Sequence, residues 1–213
     1  MKKKIFIYII AAIVAVAILA TSVFTLTKDN PIEPMSLPEL DFTYTDSNLK
    51  LKQNLESREI SMSSPLKFST ISDLNKFCAF FENTQLQNQV EYCTSTELRD
   101  SEGNYLGNIH MVGNRQMPKI VLSLIQSNPF MDNLDSVKTV YDTVIQDLVC
   151  NCWIDVKPGS FETVSDWIDK QREFHTSGTK PTSKSSLNLS GKQLEMELTT
   201  NTQGYLWKLL IMG

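Results

Sequence analysis

Positions 5–26 form a run of 22 residues without a charged side chain, IFIYIIAAIVAVAILATSVFTL. A helix of that length measures about 33 Å, enough to cross a hydrocarbon core of roughly 30 Å. Lys2, Lys3 and Lys4 precede the run, whereas Lys28 and Asp29 cancel behind it. The positive-inside bias therefore predicts a single-pass segment with a cytoplasmic N-terminus and the rest of the chain outside, extracellular or in a periplasm-like space. The lipid bilayer is the partner expected for residues 5–26. A cleaved signal peptide is the competing reading, with Ala20-Thr21-Ser22 as a small-residue cleavage site. Apolarity continues through Val23, Phe24 and Leu26, which argues for a retained signal anchor. Both readings put the remaining chain outside the cytoplasm.

Three sections are expected: a transmembrane anchor over residues 1–26, a spacer over 27–58 and an extracytoplasmic domain over 59–213. Pro31, Pro34 and Pro38 followed by a polar stretch without sustained apolar period suggest the spacer. The net charge of −4, with 20 basic against 24 acidic residues, speaks against a nucleic-acid interface, which needs a basic footprint. A hydrophobic content of 41% is enough for a packed core.

Within the domain, helical spacing recurs three times. Leu74, Phe77, Cys78 and Phe81 predict a short helix capped at Ser72. Val137, Val140, Tyr141, Val144, Ile145 and Leu148 predict a longer one capped at Asp132 or Asn133. Phe161, Val164, Ile168 and Phe174 predict a third, capped at Ser160 and ending near His175 before Gly178. Strands fill the intervals. Residues 90–99 and 105–112 read as a hairpin around the Gly103 turn, and residues 119–125, apolar on both faces, read as a central strand. Leu194, Met196 and Leu198 alternate with Glu195 and Glu197, and after the Gly204 turn residues 205–212 return as a buried strand. Strands grouped around helices without regular alternation indicate an α+β fold, a mainly antiparallel sheet packed on two or three helices.

Cys78, Cys93, Cys150 and Cys152 are the disulfide candidates, because an even cysteine count on the oxidising side of a membrane favours bonded pairs. The preferred pairing joins Cys78 to Cys93, closing a short helix-to-strand loop. Cross-linking of Cys150 and Cys152 to that first pair is the alternative. A Cys-x-Cys redox centre would need a nearby cation to lower a thiol pKa, and the sequence places none beside it. Neither the zinc spacings nor a copper set built on His110, Met111 and Met117 is well matched. No metal, cofactor or catalytic residue is expected on these grounds. Asp166, Asp169, Glu173 and His175 have the spacing of any solvated helix face. Trp153, Trp167 and Trp207 are core candidates, and Asn188-Leu189-Ser190 is a glycosylation sequon in an expected exposed loop.

The lysine-capped Ile/Ala/Val anchor is combined with Gly107-Asn108-Ile109-His110-Met111-Val112-Gly113, Cys150-Asn151-Cys152-Trp153 and Gly204-Tyr205-Leu206-Trp207-Lys208. In this combination the chain resembles uncharacterised membrane-anchored proteins of ammonia-oxidising archaea. The resemblance implies an extracytoplasmic location and no activity. The expected function is a non-catalytic, membrane-tethered binding or envelope-assembly domain. The alternative is an extracytoplasmic hydrolase or thiol oxidoreductase using His110 or His175 with a carboxylate, or the Cys150/Cys152 pair.

Overall fold

A computed structural model describes residues 37–81 and 84–213. The expected transmembrane segment, residues 5–26, and the first part of the expected spacer lie outside the described residues. Among the described residues no helix is long and apolar enough to cross a membrane.

The described chain is α+β. Its elements run α1 (Tyr44–Glu56), β1 (Ser61–Met62), β2 (Leu66–Phe68), α2 (Ile71–Phe77), α3 (Thr84–Gln87), β3 (Tyr92–Arg99), β4 (Tyr105–Gly113) and β5 (Pro118–Ser127). There follow α4 (Leu134–Leu148), α5 (Trp153–Val156), a 3-10 turn (Pro158–Ser160), α6 (Val164–Ser177), β6 (Thr182–Leu189), β7 (Lys192–Asn201) and β8 (Gly204–Met212). All eight strands among the described residues join one antiparallel sheet ordered β1-β3-β4-β5-β8-β7-β6, with β2 also pairing β3. The two strands whose sequences are apolar on both faces, β5 and β8, lie beside each other at its centre.

The pleat sorts side chains onto two faces. One face carries Leu98, Ile109, Met111, Val121, Ile125, Leu194, Met196, Leu198, Trp207, Leu209 and Ile211 into the main core with α1, α4 and α6. Polar clasps between neighbouring helices supplement this burial. Asn54 Nδ2 donates to both Asp147 carboxylate oxygens at 2.8 and 2.9 Å, and Arg58 reaches Asp142 at 2.8 Å, tying α1 to α4. Lys138 and Asp169, 2.7 Å apart, tie α4 to α6. The opposite face is covered at one end by a smaller cluster of Leu74, Cys78, Cys93, Val112 and Ile120. A Cβ at Gly107 would stand 1.9 Å from the Leu124 carbonyl oxygen, so β4 accepts only glycine there without shifting its neighbour β5.

Two expectations about organisation are corrected. The spacer expected through residue 58 ends earlier, because α1 and the residues just before it are part of the core: Leu51 and Leu55 of α1 and Leu40 ahead of it are at most 1% exposed. Thr43 caps that helix by accepting from the Asp46 amide, which stops the chain from continuing as an extended tether. The edge strand β6 runs through the sequon segment, where Asn188 is exposed and Leu189 buried.

Helix boundaries also shift. Thr70 rather than Ser72 caps α2, which stops at Phe77; Phe77 stays 44% exposed, stacked on Phe68 at 5.0 Å. Thr163 rather than Ser160 caps α6, through a reciprocal capping box with Asp166. The reason is local: Lys157, Gly159 and Ser160 have positive φ and form the preceding turn. Phe174 belongs to the outer side of α6, 67% exposed.

Both cysteine pairs are bonded, Cys78 to Cys93 and Cys150 to Cys152. The first staples the α2 segment onto β3 within the smaller cluster. With a sequence separation of 15, loop closure removes enough unfolded-state entropy for a contribution of about 3 kcal/mol. Cys78→Ala/Cys93→Ala should therefore lower unfolding free energy by about that amount in denaturant titration. An unchanged midpoint would show that the staple constrains nothing the folded sheet does not already hold.

Candidate functional site

Packing α1 across the sheet leaves a gap where its N-terminal half passes over β2 and β3. The resulting cavity, about 250 Å³, is bounded by Tyr44, Asn48, Leu49 and Lys52 of α1, the Ser63-Ser64-Pro65 connection, Lys67 of β2, and Tyr92 and Thr94 of β3. It is smaller than the usual drug-sized pocket and suits a small molecule.

Each wall follows from the local fold. Thr43 starts α1 so that Tyr44, Asn48, Leu51 and Leu55 follow one helical face. Asn48 is fixed on three sides: its Nδ2 donates to the Tyr44 carbonyl at 2.7 Å and lies 3.9 Å from Met111 Sδ, and its Oδ1 accepts from Thr96 Oγ1 at 3.1 Å. Tyr44 meets Tyr92 edge to face at 4.9 Å and donates its hydroxyl to the Asn114 carbonyl at 2.8 Å. Burial pushes both phenols above their ordinary pKa, so both remain neutral donors.

Thr94 sits beside Thr96 on the same face of β3, 1% exposed, and its Oγ1 has no hydrogen-bond partner among the described residues. Leaving a buried hydroxyl unpaired costs about 1–3 kcal/mol. Directly across the β2–β3 register stands Lys67.

A second concavity, about 500 Å³, lies on the other sheet face between Phe80 and Phe81 and the β6–β7 edge. Leu122, Leu210 and Met212 form its floor, and Lys184, Lys208, Glu195 and Glu197 its polar end. These charges are matched internally, with Lys184 2.8 Å from Glu197 and Lys208 3.2 Å from Glu197. Burial opposes ionisation of Glu197, but Lys184 and Lys208 prevail and hold its carboxyl below the ordinary range.

The residues singled out in the sequence are dispersed. The two disulfides lie at α2–β3 and after α4. His110 is on the face opposite the 250 Å³ cavity, its ring 4.5 Å from that of Phe80, and its Nδ1 has no partner among the described residues. Burial lowers its pKa to about 4. His175 contacts Ser183 Oγ at 2.9 Å through Nδ1 and Thr200 Oγ1 at 2.8 Å through Nε2. Gln171 Nε2 donates to the same Ser183 oxygen at 2.8 Å, so hydroxyls of Ser183 and Thr200 engage both ring nitrogens of His175. This network docks α6 on the sheet as a neutral imidazole, and burial lowers the His175 pKa accordingly.

The acidic residues near His175 in sequence are used elsewhere: Asp166 in its cap, Asp169 on Lys138 and Glu173 on Lys170. Trp153, Trp167 and Trp207 are all buried, and Trp167 donates to Ser185 Oγ at 2.7 Å. No group of three or more potential metal ligands occurs among the described residues.

Sequence reasoning missed the cavity altogether. Its only local signal was Thr43-x-x-Asp46, a cap marking α1; nothing linear connects Asn48, Lys67 and Thr94. Compared with known proteins, the chain matches no family model, no curated protein and no solved structure.

Proposed function

We propose that the domain is a non-catalytic ligand-binding module carried outside the cell membrane by an anchor at residues 5–26, with the α1/β2–β3 cavity as its site. The observation that carries the binding reading is the cavity of about 250 Å³ itself, where the Tyr44 and Tyr92 rings, Leu49 and Pro65 stand beside the polar Thr45, Asn48, Ser63, Ser64 and Lys67. The external location rests on the sequence, through Lys2 to Lys4 and the uncharged run, and on the two disulfides, which suit an oxidising compartment.

Fragment titration of the isotope-labelled full chain, followed by amide shifts, tests the binding reading. Shifts are expected to concentrate at Tyr44, Asn48, Lys67, Tyr92 and Thr94, with every fragment recovered unchanged. Fragments that shift only the Leu122/Leu210 groove, or that are converted to product, would overturn it.

A further inference from the structure

We propose that Asn188 is a glycan attachment site, its carboxamide nitrogen receiving a sugar chain from a lipid-linked oligosaccharide; this rests on the external location proposed above, where acceptor sequons meet such donors. Asn188-Leu189-Ser190 is the one Asn-x-Ser/Thr triplet in the sequence, and its middle residue is not proline.

The fold gives the three residues opposite tasks. β6 ends at Leu189, whose side chain turns into the main core and is 1% exposed, while Asn188 before it and Ser190 after it are exposed. Ser190 and Gly191, with φ of 51° and 78°, make the two-residue turn into β7, closed by Leu189 opposite Lys192. The apolar residue therefore anchors the triplet, and the acceptor and the hydroxyl stand at a hairpin tip on the edge of the sheet.

The acceptor is also unused by the fold. Among the described residues the Asn188 carboxamide makes no side-chain hydrogen bond. Other exposed asparagines are tied into their turns: Asn104 donates to Asp100, Asn128 to Asp132, and Asn201 to Gln126. The neighbours of Asn188 on its own sheet face, Ser186 two residues back and Gln193 directly across on β7, are exposed as well, so a sugar there displaces no packed group.

In the transfer, the Asn188 nitrogen attacks the anomeric carbon of the donor. The nitrogen–carbon bond forms, the bond from that carbon to the lipid phosphate oxygen breaks, and the amide proton that is lost ends on the released phosphate. Ser190 stays chemically unchanged and serves as the feature that the transferring enzyme reads.

The test uses the full chain isolated from the membranes of the cells that make it. Trypsin cuts after Lys184 and Lys192 and releases residues 185–192 as one peptide. Mass spectrometry should find this peptide carrying a sugar mass that is lost stepwise on fragmentation, with the bare form in the minority. Asn188→Asp and Ser190→Ala should each abolish that mass, the second with the acceptor still in place, and both variants should fold because both side chains are exposed. A membrane-impermeant amine reagent applied to intact cells reads the location separately, at Lys170, whose side chain is 66% exposed. A bare peptide from chains labelled at Lys170 would overturn the glycan and leave the external location standing. A bare peptide from chains unlabelled there would overturn both. A sugar mass that survives Ser190→Ala would overturn attachment directed by the triplet.

Discussion

Trp207→Ala should lower the unfolding free energy by about 3–5 kcal/mol, the range for truncating a large buried aromatic. Trp207 is fully buried in β8, opposed by Ile125 on β5 and Leu198 on β7, with its ring in the main core that joins the sheet to α1, α4 and α6. No other segment can slide into the gap, because both flanking strands hold β8 in register along its length. A total stability of about 5–15 kcal/mol leaves little after such a loss. Trp207→Phe should cost distinctly less than the alanine variant. The indole Nε1 has no partner among the described residues, so phenylalanine sacrifices packing without breaking a hydrogen bond. Thermal and denaturant unfolding of the full chain separates the two variants, and an unchanged midpoint for Trp207→Ala would contradict a central, load-sharing β8.

Acid should destabilise the fold in a window set by His110. Its folded pKa is lowered to about 4 by burial from the ordinary 6.5. Above pH 6.5 the imidazole is neutral in both states and contributes no pH dependence. As the pH falls from 6.5 towards 4, the unfolded chain takes up a proton that the folded chain refuses, and stability declines. A difference of 2.5 pKa units at 1.36 kcal/mol each gives about 3 kcal/mol, fully lost once the pH falls below 4. His175 shifts in the same direction, so the measurement is the difference between wild type and His110→Phe, whose ring can occupy the same place against Phe80. The variant's stability should fall less steeply between pH 6.5 and 4. Parallel curves would mean that the folded chain takes up the His110 proton as readily as the unfolded one, contrary to its burial.

The sheet's centre was legible because burial on both faces removes polar alternation: β5 and β8 could be read from continuous apolarity, and α4 from six apolar positions at helical spacing. Elements with a mixed inner face were not. The buried side of α1 includes Ser47 and Asn48 among Tyr44, Leu51 and Leu55, so its apolar period is diluted and a tether seemed the better reading. Strand β6 was hidden for a related reason: its inward positions Ser183 and Ser185 meet α6 through hydrogen bonds rather than methyl groups. One practical consequence is that a fragment beginning at residue 59 lacks the α1 part of the core and should fail to fold, whereas one beginning at residue 37 retains it.

The cavity was illegible because it belongs to no element. Thr94 is an ordinary strand threonine until Lys67 is brought across the register and α1 is laid over both. Conversely, the residues with the most recognisable chemistry, His110, His175 and the four cysteines, have structural positions: one imidazole under Phe80, one bonded to two hydroxyls, and two disulfides.

The central claim is that the gap beneath α1 is a binding site, and plugging its mouth tests this most directly. Ser64 is exposed on the β1–β2 connection and bounds the cavity. Ser64→Trp places a large ring there without entering the core. The account predicts that this variant melts at the wild-type temperature and loses the fragment-induced amide shifts at Tyr44, Asn48, Lys67 and Tyr92. Unaltered binding by a well-folded Ser64→Trp protein would contradict it.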